Sequence, residues 1–401
     1  MASSLSPKLG IYFSHYECFG HTARVMAMAE VFKRRYLQGK IFFIQAGLGQ
    51  PRSRIGQWGK VYPLPGAFMN RRSFKAANLP FDVDKRARLC EAIVAREKPG
   101  LLISEYFPLG HGECRHELLT ALVKASAQGA LWAAAGYPLL TGKSLWRKKV
   151  LALYQHLFIF SSALEREFIA GLLSGQEKRE YLDFFEQNAS KILFAGYLLP
   201  RQEVVEDDEG VNRVGPPVAK GACRVAVLRG GGVCYPKLIA QAIRASDLLG
   251  QEYHFTVVAG PSTTAAEWRL FKTMQGKKKI KNLILLGSLG GYEKLIKESD
   301  VCVSTAGYHT GAMLLKHRKK AVLVPFEGYG AKRHYEQPAR AALLREILGA
   351  EILSIKTMTA AKLRQAIQDA AGRPAVKRRI PEAWFTGADV LDKALRVFWE
   401  R

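Results

Sequence analysis

Short apolar segments of strand length alternate along the chain with longer segments in which apolar residues recur at helical spacing. In the first half the strand-length segments are residues 9–14, 40–46, 100–104, 130–134, 156–161 and 191–195. Helical spacing covers residues 21–36 and 84–96. This alternation is typical of β–α units, whose parallel strands are buried on both faces. It predicts a doubly wound parallel sheet.

The same pattern restarts after a break in composition. Residues 199–221 are polar and acidic, contain three prolines and have almost no apolar periodicity, which predicts a linker. Beyond it, strand-length segments follow at residues 223–228, 255–259, 283–286, 301–304 and 321–325. We therefore expect an α/β fold with two Rossmann-like, doubly wound domains. Ligands of such sheets bind beyond the carboxyl ends of the strands, so a cleft between the two domains is the expected ligand site.

Composition and charge narrow the class of protein. The 401 residues are 48% hydrophobic and 24% charged, which excludes a disordered, collagen-like or disulfide-scaffold protein. The formal net charge is +25, and both halves of the chain carry the excess. Such a charge favours an anionic partner. Nucleic acid, phospholipid and phosphorylated substrates remain alternatives at this point.

The cysteines and the apolar segments bear on the compartment. The six cysteines form no C-x-x-C pair, which favours a reducing, cytoplasmic location. The first residues, MASSLSPKLG, lack the apolar region of a secretory signal. Residues 129–140 and 150–164 are the most apolar stretches, and both are shorter than the roughly 20 residues that a spanning helix needs. Membrane contact is therefore expected to be peripheral if it occurs.

The first candidate site follows the first predicted strand. Gly20 allows the backbone to approach a ligand closely, His21 is suited to general base chemistry near neutral pH, and Arg24 lies nearly one turn later, where it can meet an anion. The alternative is a histidine that only caps the following helix.

Two further candidate turns lie in the second half. Arg229 is followed by Gly230, Gly231 and Gly232, and a helix is predicted from about Pro236. The buried strand at residues 301–304 also breaks at a glycine, Gly307, and continues as a helix. Free N–H groups at such helix starts suit a phosphate or diphosphate. A purely structural turn is the alternative for each.

A third group of polar residues follows the next predicted strand. Gln337 and Arg340 are expected to reach the same cleft, where they can bind sugar hydroxyls and phosphate. The sequence Asp82-Val83-Asp84 resembles a metal-binding D-x-D motif, but it precedes a helix, so Asp82 is predicted to cap that helix. No group of His, Cys and Asp has convincing metal-ligand spacing, and no metal site is predicted.

These motifs, taken in order, resemble GT-B glycosyltransferases related to family 28, the group that includes the MurG-type enzymes and the plant galactolipid synthases. The resemblance extends over nearly the whole chain. Its landmarks are the glycine–histidine turn, the strand end at Glu105, the Gly196-Tyr197 pair, and the three groups of residues in the second half.

The resemblance implies an inverting, metal-independent transfer of a sugar from a nucleotide diphosphate donor, a UDP-sugar, to a cell-envelope or lipid-linked acceptor. Domains are expected at residues 1–198 for the acceptor and 222–379 for the donor, with a C-terminal helix in residues 380–401 that packs back on the first domain. His21 and Glu105 are the expected catalytic residues, and Gly20 and Arg24 are expected to contact acceptor or phosphate. Expected donor-binding residues are Gly230, Gly231, Gly232, Gly307, Tyr308, His309, Thr310, Glu336, Gln337 and Arg340. No cofactor is expected, because the nucleotide-sugar is itself a substrate.

One position departs from the family pattern. Relatives usually carry a ribose-binding glutamate where this chain has Met313, whose thioether is a poor substitute as a hydrogen-bond acceptor. Glu327 and Glu336 are the candidate replacements; the alternatives are a different donor or lost catalysis.

Two other functions remain open. One is a nucleotide-sugar 2-epimerase or hydrolase of the same fold. The other is a non-catalytic basic protein that binds nucleic acid or an anionic membrane. Nucleic acid is not favoured, because no nucleic-acid-reading motif or aromatic interleaving is present. The basic runs at 147–149, 277–279, 318–320 and 377–379 are typical of solvated faces; contact with an anionic membrane at the inner face of the cytoplasmic membrane is the alternative.

Overall fold

The computed structural model describes residues 6–15, 20–47, 54–65, 82–110, 114–138, 150–201, 221–231, 235–278, 280–329, 332–333 and 335–400. The chain divides into two compact units. The first contains residues 21–204, the N-terminal strand and residues 382–401, and the second contains residues 205–381.

The first unit is an alternation of strands and helices. Its strands are β1 (Lys8–His15), β2 (Lys40–Gly47), β3 (Lys60–Pro63), β4 (Leu101–Glu105), β5 (Leu131–Gly136), β6 (His156–Ile159) and β7 (Ile192–Phe194). Its helices are α1 (Gly20–Arg35), α2 (Val83–Glu97), α3 (Arg115–Ala127), α4 (Ala163–Leu172) and α5 (Gly175–Gln187), with a 3-10 turn at Arg54–Gln57.

Among the described residues, the strands of the first unit form one parallel sheet in the order β3-β2-β1-β4-β5-β6-β7. Leu9 of β1 is paired with Ile41 of β2 on one side and with Leu101 of β4 on the other. Chain order therefore reverses between β1 and β4. In open α/β sheets, this switch point is where a crevice forms at the carboxyl ends of the strands.

The second unit repeats the alternation. Its strands are β8 (Cys223–Leu228), β9 (Tyr253–Val258), β10 (Leu283–Leu286), β11 (Val301–Ser304), β12 (Lys320–Leu323), the hairpin pair β13 (Gly328–Tyr329) and β14 (Lys332–Arg333), and β15 (Glu351–Ile352). Its helices are α6 (Pro236–Leu249), α7 (Ala265–Lys278), α8 (Tyr292–Glu298), α9 (Tyr308–Lys316), α10 (Glu336–Leu348) and α11 (Ala360–Gly372).

In the described part of this unit, the main sheet is again parallel, in the order β10-β9-β8-β11-β12-β15. Its switch point lies between β8 and β11, where Leu228 is paired with Ser304. Buried Val225, Val227, Val301 and Val303 join residues of α6 and α11 in the core. The apolar, β-branched strands are thus covered by helices, as expected of parallel strands.

The chain ends in the first unit. A 3-10 turn at Glu382–Phe385 leads into α12 (Gly387–Trp399). Leu391 and Leu395 of α12 are fully buried. Arg35 at the end of α1 donates to both carboxylate oxygens of Asp392, at 2.7 and 2.5 Å, and Trp399 packs edge-on against Phe32.

The expected fold class is confirmed, since both units are doubly wound parallel sheets. Two sheet strands, β3 and β15, were not predicted from the sequence. β3 has four residues, none of them fully buried, and β15 has two, so neither carries the continuous apolar run that marks a buried strand.

Candidate functional site

A histidine and a buried carboxylate meet at the switch point of the first unit. His21 Nδ1 lies 2.9 and 2.8 Å from the two carboxylate oxygens of Glu105. Arg24 Nη1 donates to Glu105 Oε1 at 2.8 Å. The Glu105 and Arg24 side chains are 0% and 3% exposed, whereas that of His21 is 18% exposed. His21 therefore remains accessible above a buried ion pair.

Local structure explains this meeting. Glu105 is the last residue of β4, and α1 begins at Gly20 in the connection that follows β1. Because β1 and β4 are neighbouring parallel strands, the start of α1, the next described element after β1, lies beside the end of β4. A Cβ atom at Gly20 would meet nothing within 4 Å, so this glycine leaves open space at the start of α1.

The hydrogen bonds define the chemistry available to His21. A carboxylate accepts hydrogen bonds and cannot donate them, so Nδ1 carries a proton when it is bonded to Glu105. In the neutral imidazole, Nε2 is then the unprotonated ring nitrogen. This orientation by a carboxylate is the one that prepares a histidine to act as a general base.

In the second unit, the candidate turns also meet at the switch point. Gly230 follows β8 with φ +80°, and a Cβ atom there would lie 3.7 Å from Thr305 Oγ1 after β11. The Thr305 hydroxyl donates to the carbonyl of Arg229 at 3.2 Å. Gly231 accepts from the Ser262 hydroxyl at 2.7 Å, and Gly232 lies outside the described residues.

The second of these turns begins helix α9. Gly307 is the residue before its first turn. Tyr308 and Thr310 are 6% and 7% exposed. The His309 Nδ1 atom is hydrogen bonded to the Tyr292 hydroxyl, and burial lowers the pKa of His309 to about 4. His309 is thus a neutral imidazole at physiological pH.

Residues in the first part of α10 make hydrogen bonds near this turn. Arg340 is fully buried; it donates to the carbonyl of Ala306 at 2.9 Å and to Glu336 Oε1 at 3.0 Å. Gln337 accepts from the backbone N–H of Phe326 at 2.8 Å. Arg340, with Glu336 paired to it, therefore contacts the turn after β11, whereas Gln337 is bonded to the segment after β12.

Met313 lies on α9 and is 3% exposed, so its side chain is part of the core. Of the two candidate replacements for a ribose-binding glutamate, Glu336 is paired with Arg340. Glu327 is partly exposed and lies 3.8 Å from the Lys356 ammonium group.

Sequence reasoning assigned no role to two residues that shape these turns, Tyr292 and Arg229. Tyr292 holds His309, and Arg229 has a side chain that is 0% exposed beside Thr263 and Glu267. A signal existed for Arg229, because an arginine between a buried strand and a glycine run is unusual. Tyr292 carries no local signal, since its partner lies 17 residues away.

Asp82 caps α2, as predicted, by accepting from the backbone N–H of Lys85 at 2.7 Å. Among the basic runs, residues 147–149 and Lys279 lie outside the described residues. Lys319 and Lys320 donate to backbone carbonyls, whereas residues 377–379 are exposed. Within the described ranges, no helix combines the length and apolar character needed to cross a membrane.

Two Rossmann-like sheets, each with polar groups at its switch point, define the class as GT-B, and solved structures agree. The calicheamicin glycosyltransferase CalG4 has a TM-score of 0.63 and 12% identity, covering 99% of both chains. MurG of Acinetobacter baumannii has a TM-score of 0.56 and 14% identity, covering 97% of this chain and 100% of its own. The UDP-GlcNAc 2-epimerase of Methanocaldococcus jannaschii has a TM-score of 0.54 and 11% identity, covering 98% and 100%.

A family model matches part of the sequence. Residues 225–383 match the model of the glycosyltransferase family 28 C-terminal domain. Comparison with curated protein sequences gives no match. The chain therefore has the fold of GT-B glycosyltransferases, and its residues 225–383 match a glycosyltransferase family 28 domain.

Proposed function

We propose that the protein transfers a sugar from a nucleotide diphosphate donor, a UDP-sugar, to a hydroxyl of a lipid-linked or cell-envelope acceptor, with inversion. The observation that carries this proposal is the His21–Glu105 pair, in which the buried carboxylate binds Nδ1 and so makes Nε2 the unprotonated nitrogen of the neutral ring. The family 28 domain over residues 225–383 supports the donor class.

In the proposed reaction, His21 Nε2 removes the proton of the acceptor hydroxyl. The acceptor oxygen forms a bond to the anomeric carbon while the bond from that carbon to the diphosphate oxygen breaks. The electron pair of the broken bond leaves with the nucleoside diphosphate, and attack from the opposite face inverts the anomeric centre. Glu105 stabilises the imidazolium that forms, in the way that a carboxylate supports a catalytic histidine.

The leaving diphosphate is proposed to bind at the turns after β8 and β11. The described residues of these turns include Gly230, Gly231, Gly307 and His309, and backbone N–H groups at a helix start such as that of α9 suit a phosphate. We propose that these fixed dipoles, without a metal ion, take up the charge that develops on the leaving group. No cofactor is proposed beyond the donor itself.

The acceptor class and the location rest on the resemblance and on charge. Family 28 relatives suggest a lipid-linked acceptor, and the net charge of +25 favours an anionic partner. We propose that the protein works in the cytoplasm, at the inner face of the cytoplasmic membrane, and that residues 377–379 contribute to contact with anionic lipid.

The test is turnover of a panel of UDP-, GDP-, CMP- and dTDP-sugars with lipid-linked and glycan acceptors. For the accepted pair, His21→Ala is expected to lower kcat by about 10²- to 10⁴-fold while nucleotide binding, measured by thermal shift, is retained. His116→Ala, an exposed histidine on α3, is the matched control. Activity of His21→Ala equal to wild type, or no turnover of any donor, would contradict the proposal. Sugar released to water or epimerised without an acceptor would favour the hydrolase or epimerase alternative.

A further inference from the structure

Arg229 places a buried guanidinium at the turn proposed to bind the diphosphate. It follows β8 directly and precedes Gly230 and Gly231. Its side chain is 0% exposed. Burying a charged group raises the free energy of the folded protein unless partners compensate the charge. The contacts of Arg229 therefore indicate which part of the structure the buried guanidinium stabilises.

Those contacts join three strand ends. Nη2 donates to the Thr263 hydroxyl at 3.0 Å, and Nη1 donates to Glu267 Oε2 at 3.3 Å. The Arg229 backbone N–H donates to Val258 at the end of β9, while its carbonyl accepts from Thr305 after β11. Through these hydrogen bonds, Arg229 links the loops that follow β8, β9 and β11.

The segment after β9 is held close to the Gly230 turn. Gly260 has φ +92°, and a Cβ atom there would lie 2.3 Å from the carbonyl oxygen of Gly230. Ser262 donates to the carbonyl of Gly231, and Thr263 donates to that of Gly260 at 2.7 Å. The two segments therefore pack as one rigid support, with the Arg229 side chain inside it.

The carboxylate that pairs with Arg229 is more exposed than the guanidinium. The Glu267 side chain is 24% exposed and that of Arg229 is 0% exposed, so water screens the carboxylate more than the guanidinium. Glu267 also accepts from the backbone N–H of Thr264 at 3.1 Å, and Thr264 accepts from that of Glu267 at 3.2 Å. This reciprocal pair is a capping box at the start of α7, and glutamine can replace glutamate in it.

We propose that Arg229 is a positioning residue which holds the Gly230 turn and raises its affinity for the phosphate groups of the donor, and that Glu267 opposes this effect through its negative charge. The inference rests on the donor site proposed above. Neutralising Glu267 is therefore expected to strengthen anion binding. An ion pair with a purely structural role does not predict this gain.

The experiment compares wild type with Glu267→Gln, Arg229→Gln and Arg229→Lys by isothermal calorimetry. The probes are pyrophosphate, UDP and uncharged uridine. Glu267→Gln keeps the capping box and is expected to bind pyrophosphate and UDP about threefold to tenfold more tightly, since one unit of nearby negative charge is removed. Arg229→Gln is expected to bind both about tenfold more weakly or worse, and Arg229→Lys is expected to retain more of the affinity than Arg229→Gln. Uridine affinity is expected to stay unchanged in Glu267→Gln.

Glu252→Gln is the matched control, because it makes the same change of charge at an exposed residue before β9, at the opposite end of that strand. It is expected to leave all three affinities unchanged. Weaker or unchanged pyrophosphate binding in Glu267→Gln overturns the inference, even if Arg229→Gln fails to fold. Two other results also overturn the inference. One is that wild type does not bind pyrophosphate, and the other is that Arg229→Gln loses uridine binding and UDP binding to the same extent. If the charge effects are found but no nucleotide-sugar is turned over, the proposed function fails and this inference stands.

Discussion

At the scale of single residues, the proposed removal of the acceptor proton depends on the His21–Glu105 pair. His21 could be selected from the sequence pattern because it follows a predicted strand, whereas Glu105 was expected to be catalytic only from the family resemblance. Their contact could not be derived from local patterns, since 84 positions separate them. It depends on β1 and β4 being neighbours, which is a property of the sheet order. The pairing of Glu105 with Arg24 is likewise a tertiary outcome.

Replacing the carboxylate tests the orientation of the histidine. Glu105→Gln is expected to lower kcat by about 10²-fold or more, because an amide can present its NH₂ group to Nδ1 and favour the other tautomer. The KM for the donor is expected to change little. Steady-state kinetics checks this, with Glu117→Gln, a change in another buried ion pair of the same unit, as the control for general destabilisation. Equal loss of activity in both variants would indicate a structural role for Glu105.

The partly buried His309 of the second unit predicts a pH dependence of stability. Burial lowers the pKa of His309 from 6.5 to about 4. Between these values the unfolded chain binds the proton and the folded chain does not, so stability falls as pH decreases from about 6.5 towards about 4. Above pH 6.5 this contribution is constant.

His309→Gln is therefore expected to lose less stability than wild type on acidification. Between pH 7.5 and pH 5 the difference is expected to be about 2 kcal/mol in the free energy of unfolding. Urea unfolding at the two pH values measures it, with His116→Gln as the control. The same loss in wild type and His309→Gln would show that His309 titrates normally.

At the scale of elements, helix α12 shows how an amphipathic segment finds its partner. Apolar residues recur along one face of the sequence 389–399, which predicts a helix that needs a surface to cover. Periodicity does not identify that surface. In the structure the helix packs within the first unit, where Leu391 and Leu395 are buried and Asp392 is paired with Arg35.

Truncating the buried face of this helix is expected to destabilise the first unit. Leu395→Ala removes a fully buried side chain and is expected to cost about 2–5 kcal/mol. Val397→Ala, at a residue 45% exposed, is expected to change stability by less than about 0.5 kcal/mol. Urea unfolding followed by circular dichroism compares the two. Equal, small effects would mean that α12 contributes little to the stability of the unit.

The strands differ in how well sequence could predict them. Buried parallel strands such as β4, in which all five residues are buried, carry consecutive apolar residues, here Leu101, Leu102 and Ile103. The edge strands β3 and β15 are short and partly exposed. Their pairing is determined by the neighbouring strand, so local patterns do not reveal them.

At the scale of the whole molecule, the excess of basic residues is the feature that the fold does not require. The net charge of +25 is shared by both halves, and in the described chain part of it is used internally, as by the buried Arg229, Arg340 and Arg86. Residues 377–379 are exposed and lie apart from these buried pairs.

Exposed basic residues are expected to attract anionic lipid at about 1 kcal/mol per charge near the surface. Replacing residues 377–379 with alanine is expected to reduce sedimentation with phosphatidylglycerol vesicles by at least tenfold in affinity at low salt, without changing binding of UDP. The matched control replaces Lys237, Lys272 and Lys362, which lie on other helices. An equal reduction in both variants would show that net charge alone, and not this segment, attracts the membrane.

The central claim is that the glycine-containing turns after β8 and β11 bind the diphosphate of a nucleotide. Hydrogen–deuterium exchange with and without UDP measures this most directly. With UDP bound, we expect slower exchange in peptides that contain Gly230 and in peptides that contain Gly307 to Thr310. Peptides from β10 and α11 are expected to change little. UDP binding with protection confined to other segments, or no protection at saturating UDP, would contradict it.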